Sequence, residues 1–182
     1  MSGVRILGID PGSRVTGFAV IEYDRSRGRS CGHGVIRPKA KAFPERLGEI
    51  FAGVVEVIDE LKPDVLAIES VFVARNAQSA IKLGHARGAA ICAATQAGLA
   101  VHEYAPRAIK LAVVGIGGAD KEQVQHMMQQ LLRLAEPASS DAADALAVAL
   151  CHAHTQQHEA RLAAATSGSI GGRPGSPGWK AG

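Results

Sequence analysis

Four acidic residues stand where a fold could use them for chemistry. Asp10 closes a short apolar run and leads into Pro11-Gly12-Ser13; Glu69 closes the run Val65-Leu66-Ala67-Ile68; Asp141 and Asp144 stand three residues apart in Ser139-Ser140-Asp141-Ala142-Ala143-Asp144. Each has an ordinary explanation when taken alone. Asp10 suits a turn, and Asp141 and Asp144 suit the start of a helix, where they complement its dipole. Glu69 is harder to explain locally, because an acid ending a buried run needs a partner and no basic residue adjoins it in sequence. Together the four carboxylates would raise one another's pKa values unless a positive charge intervened. With no obvious cation beside them, a divalent metal is the simplest answer, and an oxygen-only ligand set favours magnesium or manganese over zinc. Two such ions, about 3.5 to 4 Å apart, would clamp a phosphodiester for in-line hydrolysis.

The elements needed to position these acids follow from the pattern of the chain. Residues 4–10 and 16–23 read as a hairpin around Asp-Pro-Gly-Ser, and 31–37 as a third strand after a polar, arginine-rich link. Over 44–61, Leu47, Ile50, Phe51, Val54, Ile58 and Leu61 recur at helical spacing, ended by Lys62-Pro63. A buried strand over 64–69 follows, then an alanine- and glycine-rich helix over 76–98 and a fifth strand over 101–104, closed by Pro106. Beyond a glycine-rich loop at 115–118, helices are predicted over 121–134 and 140–158. Three antiparallel strands followed by alternating helices and strands give an α/β fold with one five-stranded mixed sheet flanked by helices. Right-handed crossovers make strands one, four and five parallel, with the hairpin on the other edge. Ligands in such sheets gather at the carboxyl ends of the parallel strands, where Asp10 and Glu69 fall. Neighbouring strands run about 4.8 Å apart, so these two acids could share one cation. Asp141 and Asp144 would project from one side of the last helix's first turn and complete the cluster.

The chain of 182 residues, nearly half of them apolar, has room for one compact domain, placed at 1–160. Residues 165–182, rich in Gly, Pro and Ser, read as a disordered tail. A net charge of +3 gives only weak support for a nucleic-acid partner. Basic residues do cluster in the first half, at Arg25, Arg27 and Arg29, at Arg37, Lys39 and Lys41, and at Arg75, Lys82 and Arg87. Neither a secretory signal nor a membrane-spanning run is evident, which points to the cytoplasm. Cys31, Cys92 and Cys151 are too few and too scattered for a disulfide framework and read as small core residues. Cys151 with His152 and His154 hints at zinc, but no second ligand pair stands at the right spacing.

Gly8-Ile9-Asp10-Pro11-Gly12-Ser13, Ala67-Ile68-Glu69 and Asp141-Ala142-Ala143-Asp144-Ala145-Leu146-Ala147 resemble, in this order and spacing, the motifs of RuvC-type Holliday junction resolvases. Val71-Phe72-Val73-Ala74-Arg75-Asn76 and Val113-Val114-Gly115-Ile116-Gly117 resemble the family as well, so the likeness runs from about residue 4 to 154. It implies a ribonuclease-H-like fold, a homodimer, and paired symmetric nicks in opposing strands of a four-way junction, leaving 5′-phosphate and 3′-hydroxyl ends. It implies that Asp10, Glu69, Asp141 and Asp144 hold Mg2+, two ions per site, with Mn2+ as a substitute. It further implies that Lys110 and the catalytic Lys121 contact DNA near the scissile phosphate, that Phe72 stacks on or wedges against junction bases, and that Arg75 and Asn76 join the DNA surface. A solvated lysine and a core phenylalanine remain the alternatives for these positions. A junction-binding tetramer and a branch-migration motor are implied partners. Gly84 and Gly88, one turn apart on the alanine-rich helix, either line the dimer interface or pack on the sheet.

Two other functions compete. A nucleotide-binding ATPase of the actin and sugar-kinase type also carries an acid and glycines in its first hairpin, but needs two lobes where this chain has room for one. A junction-binding protein that does not cut would be better served by neutral or basic residues than by four carboxylates.

Overall fold

A computed structural model describes residues 3–24, 27–70, 76–115, 117–118 and 120–168. Three strands open the chain: β1 (Val4–Asp10), β2 (Thr16–Asp24) and β3 (Arg27–Ile36). They are followed by α1 (Phe43–Leu61), β4 (Val65–Glu69), α2 (Ala77–Gln96), β5 (Ala100–Tyr104), α3 (Pro106–Val114), α4 (Lys121–Leu132) and α5 (Ser140–Gly168). The sheet order is β3-β2-β1-β4-β5. β1 pairs antiparallel with β2 and parallel with β4, and β4 pairs parallel with β5, as the expected mixed sheet requires.

Alternation along the strands sorts the core into two layers. Leu7, Ile9, Leu66 and Ile68 face α1 and α2, whereas Ile6, Val65 and Ala67 face α5, α3 and α4. Each of the four first-named side chains is fully buried, contributing on the order of 1.5–3 kcal/mol apiece. From Ala142 to Ala153 nearly every residue of α5 is buried, because the helix lies between the sheet and the α3–α4 pair.

Two glycines set how closely α5 lies on the sheet. A Cβ at Gly8 would fall 2.1 Å from the Ala145 carbonyl oxygen, and one at Gly17 would fall 2.0 Å from that of Asp141. Both distances are far inside van der Waals contact with helix backbone, so only glycine lets α5 sit flush on β1 and β2.

Five expectations need correction. The arginine-rich link read before the third strand is largely strand, since β3 begins at Arg27; as an edge strand it tolerates charge that a central strand would not. A whole helix, α3, starts at Pro106, which is the first helical residue as well as the stop for β5; proline's fixed φ and missing N–H suit that position. The last helix does not end near residue 158 but runs to Gly168, through an alanine-rich stretch of high helix propensity. It thus takes in the first residues of the predicted tail, and 169–182 lie outside the described residues. Gly84 and Gly88 do not pack on the sheet: a Cβ at either would meet nothing within 4 Å, and the sheet-facing residues of α2 are Ala86, Ala90, Ala93 and Ala94. Of the cysteines, Cys151 is buried in the core and half-buried Cys31 packs against the core, whereas Cys92 is exposed and is not a core residue.

Candidate active site

The register of the sheet explains why Asp10 and Glu69 meet. Ile9 pairs with Ile68 across the parallel β1–β4 ladder, and each acid follows one residue later on its strand. By strand parity Asp10 shares the face of Ile6 and Gly8, and Glu69 that of Val65 and Ala67, so both carboxylates point toward α5. The turn after Asp10 is pinned by Thr16, which is fully buried; its hydroxyl donates to the Gly12 carbonyl at 2.8 Å. Seated on Gly8 and Gly17, the first turns of α5 bring Asp144 to the same place.

Asp10, Glu69 and Asp144 line one cleft of about 340 Å³, together with Lys110 from α3 and Lys121 from the start of α4. Asp141 does not line it. Asp141 stands half-buried beside the cleft, close enough for its charge to act on both Asp10 and Asp144. A larger hollow of about 1010 Å³ lies between β3 and the end of α4, but Arg27, Arg29 and Arg133 line it and no carboxylate does, so chemistry rather than size selects the site.

The electrostatics follow from this arrangement. Burial, followed by the charges of Glu69, Asp144 and Asp141, pushes the Asp10 carboxyl from 3.8 up to about 7, against the pull of Lys121. Burial and Asp144 raise Glu69, opposed by Lys110 and Lys121. Burial also raises Asp144 despite its ion pair with Lys121, whose Nζ stands 3.5 Å from Asp144 Oδ2 and 3.4 Å from Ser140 Oγ. That lysine is 74% exposed, so its pairing is weak and easily exchanged for another anion.

The cluster is therefore short of positive charge, which corrects one expectation and supports another. Two cations do stand beside the acids, contrary to the reading of the sequence alone, yet they do not restore ordinary acidity to any of the three cleft carboxyls. A divalent ion would, and the donors facing the cleft are all oxygen, as a hard cation requires. Among the described residues no three acidic, histidine or cysteine side chains are closed around a point where an ion would sit.

Phe72 and Arg75 lie outside the described residues. Asn76 caps α2, its Oδ1 accepting from the backbone N–H groups of Gln78 and Ser79 at 2.9 and 3.4 Å. Of the suspected zinc trio, His152 is buried; its Nδ1 is 2.7 Å from the Tyr104 hydroxyl, and burial followed by His102 lowers its pKa to about 4. His154 instead places Nδ1 3.0 Å from the Ala112 carbonyl. Sequence reasoning missed Thr16, Ser140 and the contact that Arg87 makes with the end of β4. For Arg87 the one available signal was a long cation set in a helix whose neighbouring residues are small enough to pack against a sheet.

A family model described as crossover junction endodeoxyribonuclease RuvC matches residues 6–152. The crossover junction endodeoxyribonuclease RuvC of Tolumonas auensis is 54% identical over 168 residues, 92% of this chain and 97% of the relative. That of Vibrio parahaemolyticus is 55% identical with the same coverage. Among solved structures, Thermus thermophilus RuvC in complex with a Holliday junction substrate superposes with a TM-score of 0.80 at 36% identity, covering 86% of this chain and 96% of that one. Sequence likeness along nearly the whole length and a shared ribonuclease-H-like fold make this chain a member of the RuvC family of crossover junction endodeoxyribonucleases.

Proposed function

We propose that this protein resolves four-way DNA junctions by hydrolysing one phosphodiester in each of two opposing strands. The observation that carries this reading is the cleft in which Asp10, Glu69 and Asp144 face Lys110 and Lys121 at the carboxyl ends of β1 and β4. Asp10, Glu69 and Asp144, with Asp141 completing the set, would hold Mg2+, two ions per site, with Mn2+ as a substitute. Bound there, the metal supplies an activated water and charge neutralisation for an in-line displacement. Lys121, weakly paired and exposed, exchanges Asp144 for the scissile phosphate, and Lys110 neutralises the same phosphate from the α3 side. The nicked ends carry 5′-phosphate and 3′-hydroxyl groups.

By the family resemblance, Phe72 would stack on unpaired bases, and Arg75 and Asn76 would contribute DNA contacts. Paired nicks require two cleft copies at a set separation, and a two-fold dimer supplies them. The outer face of α2 is suited to that contact: Ile81 is 59% exposed, and Gly84 and Gly88 leave open space one turn apart. We further propose that the enzyme acts in the cytoplasm beside a junction-binding tetramer and a branch-migration motor. No helix among the described residues is long and apolar enough to cross a membrane.

The test is incubation of a synthetic four-way junction, and of a linear duplex of the same sequence, with Mg2+ or with chelator. The reading predicts cleavage of the junction alone, and only with metal. Equal cleavage of both substrates, or undiminished cleavage in chelator, would overturn it.

A further inference from the structure

Arg87 projects from α2 onto the opposite face of the sheet from the Glu69 carboxylate. Its Nε donates to the Glu69 backbone carbonyl at 3.3 Å, and its Nη2 meets Glu103 Oε2 at 2.5 Å. The guanidinium is mostly buried, with 19% of the side chain exposed. Nη2 itself is fully buried and, close as it lies to Glu103, makes no aligned hydrogen bond among the described residues. A buried cation bears a desolvation cost and is retained only where its contacts compensate for it. Here the contacts lie at one structural point. The β1–β4 pairing stops at Ile68, and beyond it the Glu69 residue is held from β5, where Ser70 donates through N and Oγ to the Tyr104 carbonyl, and from α2, by Arg87. Glu103, the residue before Tyr104 on β5, anchors the other end of the guanidinium.

We propose that Arg87 is a positioning residue for the metal-holding carboxylate: it ties the last residue of β4 to β5 and α2 and so sets the angle at which Glu69 enters the cleft. The inference rests on the reading of Glu69 as a metal ligand. The planar fork reaches the backbone carbonyl and the carboxylate with two separate nitrogens in a fixed geometry, Nε and Nη2, which lysine's one compact ammonium does not reproduce. Partners that orient a ligand from behind typically set metal affinity by about 10- to 100-fold.

The test measures Mn2+ binding to the full-length protein by calorimetry, and the Mg2+ concentration that half-saturates junction cleavage, for wild type, Arg87→Lys, Arg87→Ala and Glu103→Gln. Melting temperature and junction affinity in chelator are followed alongside. The expected result is metal binding weakened by about tenfold or more in both Arg87 variants. Glu103→Gln, which unfastens only the far end of the fork, shifts in the same direction by less. Junction affinity in chelator stays at the wild-type value, and Arg87→Lys keeps the wild-type melting temperature. Metal binding at the wild-type level in Arg87→Lys and Glu103→Gln would overturn the proposal, as would a cleavage loss of equal size at every metal concentration. Glu69→Gln is the control: if it still binds metal and cuts, the carboxylate reading itself fails, whereas a defective Glu69→Gln beside a normal Arg87→Lys rejects the role of Arg87 alone.

Discussion

Asp10 is the carboxyl on which burial and the charges of the other three acids act together. Its pKa near 7 means that, below neutrality, a metal must displace a proton to bind there, so the Mg2+ concentration for half-maximal cleavage should rise as pH falls below about 7. The same shift sets the sign of a stability effect. An acid with a pKa of 3.8 when unfolded and about 7 when folded is protonated in both states below pH 4, where it costs nothing. As pH rises from 4 to 7 the unfolded chain sheds its proton first, so metal-free stability falls, and above 7 the loss is complete at a few kcal/mol in order of magnitude. Metal-free Asp10→Asn should therefore melt higher than wild type at pH 8, on the order of several degrees, and the difference should vanish near pH 4. The variant should lose cleavage while keeping junction affinity if Asp10 holds metal as proposed, because the change leaves the DNA surface intact. Lys121→Ala should slow cleavage and make junction binding modestly less sensitive to salt. An unchanged rate and salt slope would leave Lys121 a surface lysine.

Among the elements, α5 decides whether a site exists, since it carries Asp144 and Asp141 to strand ends built far earlier in the chain. Gly8→Ala and Gly17→Ala drive a methyl into its backbone, and each should cost at least the ~1–3 kcal/mol typical of overpacking, read as a lower midpoint of urea denaturation. Cleavage should fall further than stability explains, because the helix that holds two of the acids is lifted. Asp120→Ala, which removes the capping box at the start of α4, should cost about 1 kcal/mol, read in the same denaturation series. The strand order and the meeting of Asp10 with Glu69 were legible in the sequence because apolar alternation and crossover handedness leave few arrangements. Helix α3 was not, since Pro106 reads equally well as the end of a strand and the start of a helix. Pattern alone could not place Lys110 for the same reason, since it belongs to α3; the family resemblance, not the spacing, was what named Lys110 and Lys121 near the site. Asp141 was expected level with the other three acids, but helical spacing alone does not say which of two residues in one turn faces a cleft and which stands at its side.

For the whole molecule, paired nicks in opposing strands require two copies acting in concert. Ile81→Glu puts a charge on the outer face of α2 without disturbing the sheet-facing alanines, so the fold should survive while the dimer dissociates in sedimentation velocity. On a plasmid bearing an extruded cruciform, that variant should give single nicks in place of paired cuts. Retention of the dimer would move the interface elsewhere. The most direct test of the central claim, that acids from β1, β4 and α5 jointly hold divalent ions, is a crystal grown with Mn2+ and measured for anomalous scattering at the manganese edge. The account predicts anomalous peaks in the cleft within coordination distance, about 2.2 Å, of Asp10, Glu69 and Asp144 oxygens. Well-diffracting crystals with no peak there, or with manganese bound only outside the cleft, would contradict it.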